Sequence, residues 1–159
     1  MKGFLVAVGR LKAGPERDLV ARYEKRLAST GKSIGLTGFE TIELPESKGQ
    51  GADQRRSEEA QGLLARLPGD ASLIVFDERG KSIGSEAFAE LLRDALEGAR
   101  SPCFAIGGPD GHGPPMLERA DHTLAFGKLT MPHQIVRALV LEQIYRATTI
   151  LTGHPYHRA

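Results

Sequence analysis

Three short stretches carry the residue types that could do chemistry. The first is Gly107-Gly108-Pro109-Asp110-Gly111-His112-Gly113, four glycines in seven residues, which lets a ligand approach the backbone closely. Its spacing is not that of a dinucleotide-binding G-x-G-x-x-G turn, and no lysine-serine pair follows to make a phosphate loop. Residues 107–117 hold no Lys or Arg, Pro109 removes a backbone donor, and Asp110 adds negative charge. This chemistry suits phosphate badly. It suits a phosphate-free ligand read mainly by backbone groups, and S-adenosylmethionine is one such ligand; a tight turn that binds nothing is the other reading. The second stretch is Gly127-Lys128-Leu129-Thr130-Met131-Pro132 with His133 beyond it, where the free amides of a helix start can bind a ligand or be capped, Thr130 being the natural cap. The third is the tail His154-Pro155-Tyr156-His157-Arg158: an aromatic ring and imidazoles to stack on bases and a guanidinium for phosphate, or a tail that docks and closes the domain. A fourth segment, Asp77-Glu78-Arg79-Gly80-Lys81, places Asp77 where it could accept a ribose hydroxyl or start a turn.

The elements that must position these stretches alternate. Buried strands are expected at 2–9, 37–44, 72–77, 103–106 and 122–126. Helices are expected at 15–29, opened by Pro15; at 54–66, closed before Pro68-Gly69; at 85–97, capped by Ser85; at 114–120; and from Pro132 to about Ile150. Alternation of this kind predicts an α/β domain with a mostly parallel sheet flanked by helices, spanning residues 1–159. In such sheets ligands sit beyond the carboxyl ends of the strands, so the loops at 77–81, 107–113 and 127–132 are expected to share one crevice. The last helix is apolar on more than one face. That predicts two packing partners, one of which a dimer would supply; a central core helix in a monomer is the alternative.

Composition sets the bounds. The 159 residues are 40% hydrophobic and 26% charged, the balance of a globular chain, and the apolar runs are too short to span a bilayer. The opening Met1–Arg10 reads as a buried strand rather than a signal peptide. A single cysteine, Cys103, excludes an internal disulfide, no Cys/His spacing suggests a metal site, and a cytoplasmic location is the default expectation. The net charge of +1 does not announce a nucleic-acid binder, but its distribution is uneven: residues 1–35 carry +5 and residues 127–159 carry +3, with the acidic remainder between them. If the two ends meet, they form a cationic surface for RNA; a mixed solvated surface is the plainer alternative.

Met1–Gly9, the Ile106–Gly111 turn, Leu129-Thr130-Met131-Pro132-His133, Glu142-Gln143-Ile144-Tyr145-Arg146-Ala147 and His154–Arg158 together, in this order, resemble the bacterial ribosomal RNA large subunit methyltransferase H family, a minimal SPOUT type of enzyme. The resemblance spans essentially the whole chain. It implies an α/β fold whose C-terminal part threads a trefoil knot, a rare exception to ordinary connectivity. It implies a homodimer that uses S-adenosylmethionine to methylate N3 of a pseudouridine in 23S rRNA, on assembled ribosomes in preference to free RNA. It also implies that Phe76, Gly108, Gly127, Lys128, Leu129, Thr130, Met131 and Pro132 line the cofactor pocket, with Phe76 standing where relatives commonly carry leucine. Among the candidate bases, His133, His154 and His157, the tail pair His154 and His157 is preferred for the catalytic role, because a tail can reach a neighbouring subunit. Arg146, Tyr156 and Arg158 are the expected RNA contacts. No metal and no membrane enter this scheme. Two rivals stand beside it: a Rossmann-like enzyme using a phosphate-bearing nucleotide, disfavoured by the glycine spacing and the missing lysine, and a ribosome-binding module of the same fold without catalysis.

Overall fold

The computed structural model describes residues 1–159. Five strands, β1 (Lys2–Val8), β2 (Gly38–Leu44), β3 (Ala71–Lys81), β4 (Ser101–Ile106) and β5 (His122–Leu124), form one sheet in the order β2-β1-β4-β3-β5. Every neighbouring pair is parallel, so the mostly parallel sheet expected from the sequence is wholly parallel. The helices are α1 (Pro15–Thr30), α2 (Ala52–Leu64), α3 (Ser85–Glu97), α4 (Pro114–Arg119) and α5 (His133–Thr152), with one 3-10 turn at Gly31–Ile34.

Helices cover both faces of the sheet, which is why its central strands read as unbroken apolar runs. Alternate residues point to opposite faces. Leu5, Ile74, Phe76, Phe104 and Ile106 join the core that holds α1, α3 and α5. Val6, Val8, Leu73, Val75, Cys103 and Ala105 join the one that holds α2 and α4. Each large side chain buried this way contributes about 1.5–3 kcal/mol. Cys103 lies on the central strand β4 with no exposed surface, and burial pushes its thiol up to about 12.

The apolar breadth of α5 is accounted for within one chain, because the helix packs against both α1 and α3 and touches β4 beneath. Arg137 fixes where α5 begins. Its side chain is almost fully buried, donates to the Gly9 carbonyl at 2.7 Å and pairs with Glu43. Glu43 also accepts the Leu11 amide at 2.8 Å. Burial alone would raise the Glu43 carboxyl, but the Leu11 amide and Arg137 outweigh it and hold it below its usual value. Arg137→Met keeps the volume and strips both acceptors of their donor. It is expected to cost about 2 kcal/mol and lower the thermal midpoint by about 5 °C, measured by calorimetric melting.

β3 does not stop at Asp77. After a register shift it continues to Lys81, which lies opposite Leu124, and the Ala125 amide donates to the Lys81 carbonyl at 2.9 Å. A Cβ on Gly80 would fall 2.6–2.7 Å from the backbone of Leu124, so only glycine permits this crossing. Residues 77–81 therefore pass directly over the end of β5. Ser85 is the first residue of α3 rather than its cap: Gly84 precedes it in extended conformation, and the Ser85 hydroxyl donates instead to Gln143 Oε1 at 2.8 Å. No helix is long and apolar enough to cross a membrane.

Candidate functional site

A cavity of about 900 Å³ opens at the carboxyl ends of β3, β4 and β5, and residues from all three loops expected there line it. Its apolar floor is aromatic. Phe76, at the end of the buried run of β3, stacks nearly parallel on Phe126, with ring centroids 5.3 Å apart, and tilts against Phe88 at 6.2 Å. Phe126, which sequence reasoning missed, was legible only as the end of the last apolar run.

The glycine turn forms one wall. Gly108 packs tightly: a Cβ there would meet Val8 at 3.0 Å and the Glu59 carboxylate at 3.3 Å, so any side chain would make these neighbours shift. Two anchors hold the turn. On the outside, Arg55 of α2 grips Asp110 with two hydrogen bonds, 2.7 and 3.2 Å, and Arg56 donates to the Asp110 carbonyl at 3.3 Å. On the inside, the His112 amide donates to Asp77 Oδ2 at 3.3 Å, and Arg79 Nη2 donates to the His112 carbonyl at 3.0 Å.

The turn is thus less poor in cations than its own residues suggest, because guanidinium groups arrive from α2 and β3. Each is matched by a carboxylate, so none is free for a phosphate. Across the lining, Asp53, Asp77, Glu78 and Asp110 stand against Arg56 and Arg79, a net negative surface. S-adenosylmethionine, with its sulfonium and ammonium set against one carboxylate, carries net positive charge and a flat apolar base. The cavity fits both features.

Asp77 is not free for a ribose hydroxyl. Its side chain is 2% exposed, and its oxygens take Arg79 Nε at 2.7 Å and Nη2 at 2.9 Å besides two backbone amides. Burial alone would raise this carboxyl, but the bonds from Arg79 and His112 outweigh it and hold it at about 2, against an ordinary 3.8. A carboxyl depressed on folding contributes stability that is complete above its unfolded value and drains as pH falls towards 2. Asp77→Asn is therefore expected to flatten the thermal midpoint against pH between about pH 4 and 2. An acid limb as steep as that of the parent protein would assign the titration elsewhere. The His112 side chain is buried behind the turn against the backbone of Phe76 and Ala105, and burial keeps it neutral by lowering its pKa.

The segment after β5 forms the other wall. Gly127, Leu129, Thr130, Met131, Pro132 and His133 line the cavity, while the Lys128 side chain is exposed and stands outside the lining. Thr130 does not cap α5. Pro132 occupies the cap position with no side-chain bond, which leaves Thr130 facing the cavity. Leu129 is 81% exposed at the lip.

The tail folds back along α5. Tyr156 sits edge-on against Tyr145 at 4.8 Å and donates to Glu142 Oε1 at 2.9 Å. The same oxygen accepts Arg146 Nε at 3.0 Å and Nη2 at 2.6 Å. The Arg146 guanidinium lies 4.8 Å over the Tyr156 ring and 3.1 Å from His157 Nδ1. Burial, then the bonds to Tyr23 and Glu142, raise the Tyr156 phenol well above its usual value, so it stays protonated. Arg146, Tyr156 and His157 therefore form one cluster around Glu142, with His154 and Arg158 exposed beside it. None of the five lines the cavity of its own chain. The Arg55 and Arg56 anchors were invisible in sequence, where two arginines on a polar helix signal only a solvated face.

Residues 1–157 match the family model described as predicted SPOUT methyltransferase. The chain is 54% identical over 160 residues, the full length of both proteins, to the ribosomal RNA large subunit methyltransferase H of Brucella anthropi. It is 54% identical over 157 residues, 97% of each protein, to the protein of the same name from Rhizobium etli.

Proposed function

The chain belongs to the SPOUT methyltransferase family, and from that membership we propose that it methylates N3 of a pseudouridine in 23S rRNA on assembled ribosomes, using S-adenosylmethionine. The observation that carries the reading is the cavity at the ends of β3, β4 and β5: apolar and aromatic at its floor, net negative at its walls, with every guanidinium already matched. The full-length likeness to large-subunit rRNA methyltransferases supplies the substrate class.

Phe76 and Gly108 hold the donor together with residues 127–132, Lys128 serving through its backbone. Bound there, the donor supplies a methyl group on a positively charged sulfur, an already reactive leaving arrangement. The protein's own task is to hold N3 in line and remove its proton, because a neutral imide nitrogen is a poor nucleophile. His154 and His157 are the proposed bases. Arg146, Tyr156 and Arg158 hold the RNA, the tyrosine ring and guanidinium groups offering stacking and charge. The tail does not line the cavity of its own chain, so a homodimer in which one copy's tail meets the other's cavity completes the site. Leu129, exposed at the lip of that opening, suits burial by a second copy.

Mass spectrometry of 23S rRNA from cells with and without this protein tests the reading. One methyl group is expected to vanish from a single pseudouridine when the protein is absent. Titration with S-adenosylmethionine, NAD and ATP should show heat for the first alone; binding of NAD or ATP would favour the phosphate-nucleotide rival.

A further inference from the structure

We propose that Asp77 and Arg79 are positioning residues for the methyl donor, clamping the backbone of His112 and so setting where the glycine turn stands in the cavity. The inference rests on the methyl-transfer reading above. Arg79 bridges the two loops from the β3 side: one guanidinium engages the Asp77 carboxylate at 2.7 and 2.9 Å and the His112 carbonyl at 3.0 Å. Asp77 takes the amide on the other side of the same residue at 3.3 Å. Both backbone groups of His112 are thereby tied to β3.

The turn needs such a tie. Three of the five residues before His112 are glycines, which contribute no side-chain contact, and the outer anchor acts at Asp110. The His112 ring is buried against the backbone of Phe76 and Ala105, so its seat depends on where the His112 backbone stands. The clamp fixes that backbone and keeps the ring behind Gly107, whose Cβ position lies 3.3 Å from the imidazole Cδ2. Asp77, 2% exposed, acts through this amide and through the guanidinium that it holds. Arg79 is half exposed, but its hydrogen bonds run inward, to Asp77 and the turn.

Three behaviours separate a clamp from a direct contact. Arg79→Ala should weaken S-adenosylhomocysteine and 5′-methylthioadenosine by the same factor, about tenfold, in calorimetric titration. It should raise KM for the donor but not KM for ribosomes. It should also speed hydrogen exchange at the amides of residues 110–113. Arg79→Lys keeps a cation beside Asp77 but lacks the fork that reaches two acceptors, so it should fall between parent and alanine variant. It also carries the test if the alanine variant does not fold. Loss of S-adenosylhomocysteine affinity with 5′-methylthioadenosine unaffected would mean that Arg79 grips the amino-acid end directly, and the clamp would be abandoned. An effect confined to KM for ribosomes would make Arg79 an RNA contact and overturn it equally, as would unchanged affinities. If the parent protein bound neither adenosyl compound, the methyl-transfer reading would fail, and amide exchange at 110–113 alone would then decide the clamp.

Discussion

Gly80→Ala is expected to destabilise the protein by about 4 kcal/mol or more and to remove donor binding with it. The added carbon would sit 2.6–2.7 Å from the backbone nitrogen, Cα and carbonyl carbon of Leu124. Overpacking usually costs about 1–3 kcal/mol, because a neighbouring side chain can rotate away. Here both sides of the contact are main chain. Relief requires β3 and β5 to part, which breaks the Ala125–Lys81 hydrogen bond and moves Phe76 and Phe126, one from each strand end, out of register. Calorimetric melting with and without S-adenosylhomocysteine measures both effects. A variant that melts within a few degrees of the parent and still binds the ligand would show that the crossing is looser than its geometry.

The second large effect is on chemistry. His157→Ala is expected to lower kcat by about a hundredfold or more, the range ascribed to a positioned acid or base, while donor affinity changes less than twofold. His157 lies in the tail cluster and not in the cavity of its own chain, so its removal leaves the donor's walls untouched. Single-turnover transfer from labelled donor to ribosomes reads the first quantity, and titration the second. His154→Ala tests the other candidate in the same way. If both variants turn over like the parent, the tail imidazoles take no part in proton removal. Mixing a tail variant with a cavity variant such as Gly108→Val tests for a shared site: recovered transfer in the mixture, where each variant alone is inactive, is expected only if tail and cavity come from different copies.

The periodicity of apolar residues exposed most of the architecture. Every expected strand and helix is present, because buried parallel strands and amphipathic helices leave strong local patterns, as at Ser72–Phe76 and Phe88–Ala95. The convergence of three loops on one crevice followed from a general rule about strand ends. What escaped was set by tertiary contact. β3 runs on to Lys81 through the polar Asp77-Glu78-Arg79, a stretch whose extended conformation is dictated by Leu124 and not by its own composition. Neither Ser85 nor Thr130 caps its helix, since Gln143 claims the first and the cavity wall takes the second. The apolar breadth of α5 allows either a second subunit or a central helix; α1 and α3 of the same chain cover most of it and leave Ile135 exposed. The resemblance places Lys128 with its neighbours in the pocket, and its exposed side chain stands outside the cavity lining. Family resemblance supplied the proposed donor, the substrate base and the knot, none of which periodicity encodes.

Cys103 makes the protein its own clock. The chain has one thiol, it sits at the centre of the sheet, and only the ionised form attacks an alkylating dye. With ionisation deferred to about 12 and no surface exposed, the dye must wait for β4 to come free of its neighbours. The rate of labelling at neutral pH should therefore count openings of the entire molecule, without any engineered probe, and saturating the parent with its adenosyl ligand should slow the count in proportion to occupancy.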